Sequence, residues 1–227
     1  MIYAADSQGQ KIEAAKGRKG TCPTCGEPLL AKCGEIKIWH WAHVARLECD
    51  SWQEHETEWH RGWKLLVPSD RAEVCMGEHR ADILGLEDCV IELQHSPISP
   101  KDIRGREAFY GKMIWLLDGG PFRDQLRVEK RAKEIFFSWS PSRPSWLSAN
   151  KPVFIHGFTL GTHLNAINKA SGRLERQFRP LAVSDDILQI KQIRNRRWVS
   201  GAAKIIPVER FRERLLDFGQ TDALPLD

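Results

Sequence analysis

Apolar and polar positions alternate weakly at the start of the chain and then gather into stronger blocks. "IYAAD" and "KIEAA" flank the turn-forming "SQGQ" and predict a β-hairpin. "GRKG" leads into "CPTCGEPLLAKCGEIKIWHWAH", where two short strands are expected, about 29–32 and 36–39, around a turn at Gly34. The period then lengthens. Trp52, Trp59, Trp63 and Leu66 recur at helical spacing. Ser51 with Glu54 makes a capping-box start, and Pro68 a stop. Three strands follow, about 72–76, 80–86 and 89–94, with "LED" turning the last two. A second helix is expected from Ser99 as N-cap, through Pro100 at the first helical position, to a stop at Gly111. "KMIWLLDGG" is a short apolar strand.

The order helix, three strands, helix, strand predicts an α/β fold with a mixed central sheet flanked by helices. Beyond it, residues 121–149 carry no clear period, and "SWSPSRPSWLS" reads as loop. "PVFIHGF" is a further strand. Two helices, 185–198 and 207–218, are expected to close a helical C-terminal extension. The expected division is a β-hairpin and metal-binding module over 1–50, a core over 51–120 and a basic, partly β then helical extension over 121–227.

The 227 residues suffice for one good core, or a core plus a small stapled module. With 41% hydrophobic and 28% charged residues, global disorder is excluded. The net charge of +4 permits a polyanion partner without requiring one. "MIYAADSQGQ" has neither a basic n-region nor an apolar h-region, and no apolar run reaches the length of a membrane span. A cytoplasmic protein with no membrane partner is expected. The cytosol keeps thiols reduced, so the six cysteines call for another role than disulfides.

Cys22 and Cys25 form a CxxC knuckle, and His40 and His43 follow at finger-like distance across the second hairpin. Zn²⁺ takes four soft or borderline ligands in a tetrahedron, and the knuckle supplies two thiolates from one turn. The remaining ligands are either His40 with His43, or His43 with Cys49. Such a zinc would be structural, holding a segment too small for its own core.

A second cluster is acidic. Val90, Ile91 and Leu93 are strand formers, yet Glu92 sits among them. A carboxylate there is costly to bury unless something pairs with it. Asp82 lies on the adjacent strand across a tight turn, so the two carboxylates can share a divalent cation such as Mg²⁺. Gln94 faces the same way as Glu92. On the first helix, Glu56, His60 and Lys64 form a row beside the tryptophan stripe, with Glu58 turned further towards solvent. The same spacing is also that of a solvated salt-bridge ladder. In the C-terminal half, "KASGRLERQFRP" and "KQIRNRRW" are arginine-rich, and Lys191, Arg194 and Arg197 would share one helical face. Such a stripe can track a nucleic-acid backbone.

Taken in order, "CPTCGEPLLAKCGEIKIWHWAH", "ETEWHRGWK", "RADIL", "VIELQHSPIS", "RGREAFY" and "IWLLDG" resemble the CoiA-like competence protein family over roughly the first half of the chain. The resemblance implies an N-terminal zinc-finger-like segment joined to a nuclease core of the PD-(D/E)XK, restriction-endonuclease-like type. It implies that Asp82 and Glu92 are the motif acids and hold Mg²⁺ or Mn²⁺. It implies that Glu56 is the acid contributed by the first helix. Gln94 stands where many such nucleases have lysine, and Lys64 can supply that charge from the helix. Arg106 and Tyr110 match a pair expected to contact phosphate or brace the site, while Arg80 and His60 fit the pattern. The expected function is metal-dependent hydrolysis of DNA. The alternatives are a non-catalytic DNA-binding protein and a recombination adaptor.

Overall fold

The computed structural model describes residues 1–45, 49–52, 54–140, 144–167, 174–195 and 199–216. The chain divides into two compact units, Met1–Glu92 and Leu93–Asp227.

The first unit opens with five short strands: β1 (Tyr3–Ala5), β2 (Lys11–Glu13), β3 (Lys19–Thr21), β4 (Pro28–Lys32) and β5 (His40–His43). They form an antiparallel sheet in the order β2-β1-β3-β4-β5. The first hairpin turns where expected, because the Asp6 carboxylate accepts from the amides of Gln8 and Gln10 at 2.8 and 2.9 Å. Gly20 is needed where β3 crosses β1: a Cβ there would lie 2.7 Å from that of Ala4. Met1, Ala4, Cys22, Leu29 and Trp41 make the small core of this sheet. The strand expected over 36–39 lies four residues later as β5. There Trp41 can be buried and donate its indole N–H to the Ile12 carbonyl, whereas Ile36 is exposed.

The first helix is shorter than its apolar period predicts. α1 runs Glu58–Lys64, and its N-cap is Thr57, not Ser51. The Asp50 carboxylate accepts from the Trp52 amide at 2.9 Å and turns the chain locally, while Thr57 Oγ1 accepts from the His60 amide at 3.2 Å and starts the helix. Glu56 therefore precedes the helix and is not on it. Next come β6 (Ala72–Met76), β7 (His79–Leu84) and β8 (Val90–Gln94), an antiparallel meander close to the expected bounds. The "LED" turn forms a 3₁₀ turn with Glu87 and Asp88 both at positive φ.

The unit boundary falls inside β8. In the second unit α2 (Pro100–Tyr110) begins and ends as the sequence predicts: Ser99 Oγ accepts from the Asp102 amide at 3.1 Å, and Gly111 has φ 66°. It leads to β9 (Met113–Asp118), β10 (Leu126–Arg131), β11 (Glu134–Trp139), β12 (Val153–Ile167), β13 (Leu174–Asn195), β14 (Val199–Ile206) and α3 (Val208–Leu216). The sheet is mixed. β9 and β12 run parallel, while β12-β13-β14-β11-β10 are successively antiparallel. β10 also pairs in parallel with β12, so these last five strands close into a ring. The C-terminal extension is thus chiefly β. Where a helix was expected over 185–198, residues 185–195 are instead the end of β13, because its isoleucines pair across to β14 and Ile187 and Leu188 are buried; 196–198 lie outside the described residues. Of the two expected helices only α3 is present among the described residues.

Ser99→Ala removes the α2 cap and should cost about 1 kcal/mol; a shifted denaturant midpoint with an unchanged slope would measure it.

Candidate functional site

The knuckle is built by backbone bonds. The Cys22 amide donates to the Glu27 carbonyl and the Gly26 amide to the Cys22 carbonyl, both at 2.8 Å. Gly26 takes the left-handed φ of 75° that this turn requires. β5 then brings in His43. Ligand atoms of Cys22, Cys25, His43 and Cys49 all lie within 4.8 Å of one another. Cys22 Sγ is 3.7 Å from Cys49 Sγ, and Cys25 Sγ is 3.3 Å from His43 Nε2. A tetrahedral zinc with Zn–S bonds of about 2.3 Å has S···S edges of roughly 3.8 Å, so the donor set fits that ion. His40 is outside the set, with Nδ1 2.8 Å from the Ile38 carbonyl. Burial raises the Cys22 thiol, but the amides of Cys25 and Thr24 outweigh it and hold the group below its usual range. Burial and the neighbouring Cys22 push Cys49 up to about 12. Burial and the nearby Arg80 keep His43 neutral, the form in which imidazole ligates.

The acidic residues form a row across three strands. β6 pairs with β7 with Ala72 against Ile83 and Val74 against Ala81, which sets Glu73 opposite Asp82. β7 pairs with β8 with Ile83 against Ile91, which sets Asp82 opposite Glu92. The Asp82 amide lies 3.4 Å from Glu92 Oε1. α1 lowers Lys64 onto the row: its ammonium is 3.0 Å from Glu56, 3.2 Å from Glu73 and 3.0 Å from Asp82. Lys64 is 4% exposed. Burial disfavours its charge, but Asp82, Glu73 and Glu56 more than offset this and hold it above the usual lysine range. The second oxygen of Glu56, Oε1, is buried with no hydrogen-bond partner among the described residues.

Glu73 was not legible as a site residue, and it proves central. Its carboxylate accepts from the amides of Ile2 and Tyr3 at 3.0 Å, so it ties β1 to β6. Its backbone has φ 51°, uncommon for a residue with a Cβ. Lys11 spans the strain by donating to the carbonyls of Ser69, Ala72 and Glu73. Burial opposes ionisation of Glu73; Lys64, Arg80 and these amides overcome it and hold the group well below the carboxylate range.

The other candidates are scattered. His60 is buried, with Nδ1 2.8 Å from Thr57 Oγ1 and Nε2 3.5 Å from Glu54. The cationic form of His60 is disfavoured by burial but favoured, on balance, by Glu54 and Asp82. Arg80 is partly buried and faces Glu73, Asp50 and Asp82, which keep it protonated. Glu58 is exposed. In the second unit Gln94 is buried and donates to the Ser96 carbonyl at 2.9 Å. Arg106 and Tyr110 are buried on α2, with the Arg106 guanidinium over the Trp115 ring. Lys191 is exposed and Arg194 follows it on β13, so the expected helical stripe does not form; Arg197 lies outside the described residues.

Residues 5–51 match the model of the competence protein CoiA N-terminal domain. The N-terminal segment is similar to that domain. The match takes in the last residue of β1, β2 to β5 and all four residues of the Cys/His cluster, and ends before the acidic row. No curated protein and no solved structure matches the chain. No helix among the described residues is long and apolar enough to cross a membrane.

The purified protein should carry one zinc per chain, and Cys25→Ser should lose it, read by elemental analysis. A depressed Glu73 contributes stability that is present above its unfolded value of about 4.3 and is lost as pH falls through the folded value. Glu73→Gln should flatten that acid limb and cost roughly 3 kcal/mol at neutral pH, by leaving Lys64 short of a partner; denaturation across pH 3–7 would test both.

Proposed function

We propose that this chain is a metal-dependent nuclease that hydrolyses DNA phosphodiester bonds in the cytoplasm, in DNA processing or recombination, with a structural zinc in its N-terminal module. The observation that carries the reading is the side-by-side setting of Asp82 and Glu92 on neighbouring strands, with Lys64 3.0 Å from Asp82. The order α1, β6, β7, β8, α2, β9 supports a restriction-endonuclease-like core.

Asp82 and Glu92 offer hard oxygens suited to Mg²⁺ or Mn²⁺, and the orphaned Glu56 Oε1 is a further acceptor beside them. A bound divalent ion would lower the pKa of a water and offset charge on the leaving oxygen. Lys64 neutralises part of the acid row and stands ready for the charge that builds on the phosphate, the role that lysine would hold at Gln94.

A second reading has its own observation. The Lys64 ammonium already bridges three carboxylates, so the row can serve as an internal ion network in a protein that binds DNA without cutting it, or that serves as an adaptor for recombination proteins. Supercoiled, linear and single-stranded DNA incubated with Mg²⁺, Mn²⁺ or EDTA separate the two. Metal-dependent cleavage that falls at least a hundredfold in both Asp82→Asn and Glu92→Gln is the expected result. DNA retention without cleavage in any condition would transfer the assignment to the binding protein.

A further inference from the structure

The Cys/His cluster and the acidic row are joined by one buried carboxylate. Asp50 follows the ligand Cys49 directly and is 5% exposed. Its Oδ1 lies 2.9 Å from His79 Nδ1, and its Oδ2 accepts from the Arg80 amide at 3.0 Å. The indole of Trp52 stacks on the His79 ring, with centroids 3.3 Å apart and planes 8° from parallel. His79 and Arg80 are the first two residues of β7, and Asp82 is two residues further on. The β6–β7 hairpin turns within Gly77 and Glu78, with Met76 paired to His79. A two-residue turn of this kind fixes the β6–β7 register by itself, so what Asp50 adds is a grip on the first residues of β7. Loosening of that end would let Asp82 drift from its place opposite Glu92 and 3.0 Å from Lys64.

We propose that Asp50 is a positioning residue through which metal loading of the knuckle anchors the start of β7 and hence sets the divalent-ion affinity of the acidic row. The inference rests on the reading of that row as a metal site. With the knuckle loaded, Cys49 is held as a ligand and the adjacent Asp50 is delivered to His79 and the Arg80 amide. With it empty, Asp50 has no fixed origin and β7 loses its grip at the turn. The zinc thereby acts on the nuclease centre without touching it.

The test uses the full chain, with Mn²⁺ as the probe of the row and amide hydrogen exchange as the probe of β7. Wild-type protein should bind Mn²⁺ and protect the Arg80 amide. Asp50→Ala should keep its zinc and a cooperative unfolding transition, yet bind Mn²⁺ at least tenfold more weakly and exchange the Arg80 amide at least tenfold faster. Asp50→Asn, which keeps one acceptor oxygen, should recover part of both. Wild-type protein stripped of zinc by a chelator and then freed of it should behave as Asp50→Ala does. Asp82→Ala separates the two claims, because it should lose Mn²⁺ while the Arg80 amide stays protected. Unaltered Mn²⁺ affinity in Asp50→Ala or in the zinc-free protein, beside its loss in Asp82→Ala, would overturn the positioning role alone. Failure of wild-type protein to bind Mn²⁺ would overturn the reading of the row and the inference with it.

Discussion

A single buried ammonium organises the first unit. Lys64 sits at the end of a seven-residue helix and meets acids from a loop and two strands. An isolated charge could not be buried there, and three isolated carboxylates still less. Each is tolerable because the others are present, so α1, the segment before it and the β6–β7 pair are placed as one set. Glu73 extends the set by taking two amides of the N-terminal sheet. Arg80 joins Lys64 beside Glu73 and Asp82, so the carboxylates are compensated from two sides.

How much of this was legible depends on whether the information was local. The α2 boundaries were, because Ser99, Pro100 and Gly111 act within one turn of the backbone. The β6–β7–β8 meander was, because alternation and the "LED" turn are local too. The start of α1 was not: Ser51 with Glu54 has the form of a capping box, but Asp50 diverts the backbone there and Thr57 caps instead. The stretch 185–198 reads equally as helix or strand, and only pairing to β14 decides it. In the site, Asp82 and Glu92 were readable from adjacent strands across a tight turn. Glu73 was not, since nothing near it in sequence marks its partners Ile2, Tyr3 and Lys64. Choosing Cys49 over His40 likewise needed the three-dimensional path of the chain.

The N-terminal module is small, and its five strands bury only a handful of large side chains. Its persistence depends on attachments: the four-residue Cys/His cluster within, and the carboxylates of Asp50 and Glu73 without. Both attachments end on strands that carry the acidic row. A module held this way is a bracket for its neighbour more than a free-standing finger.

The parallel pairing of β9 with β12 has a consequence for how the chain reaches its fold. Trp115 pairs with Val153, so nearly forty residues, including the whole β10–β11 hairpin, separate the partners. Loop closure over such a span is slow beside the formation of a hairpin. Until residue 153 arrives, the apolar run "MIWLL" keeps one edge open, as a growing polypeptide or a truncated fragment would present it. The second unit is therefore committed late, and its longest exposure to aggregation falls in the interval between making β9 and making β12.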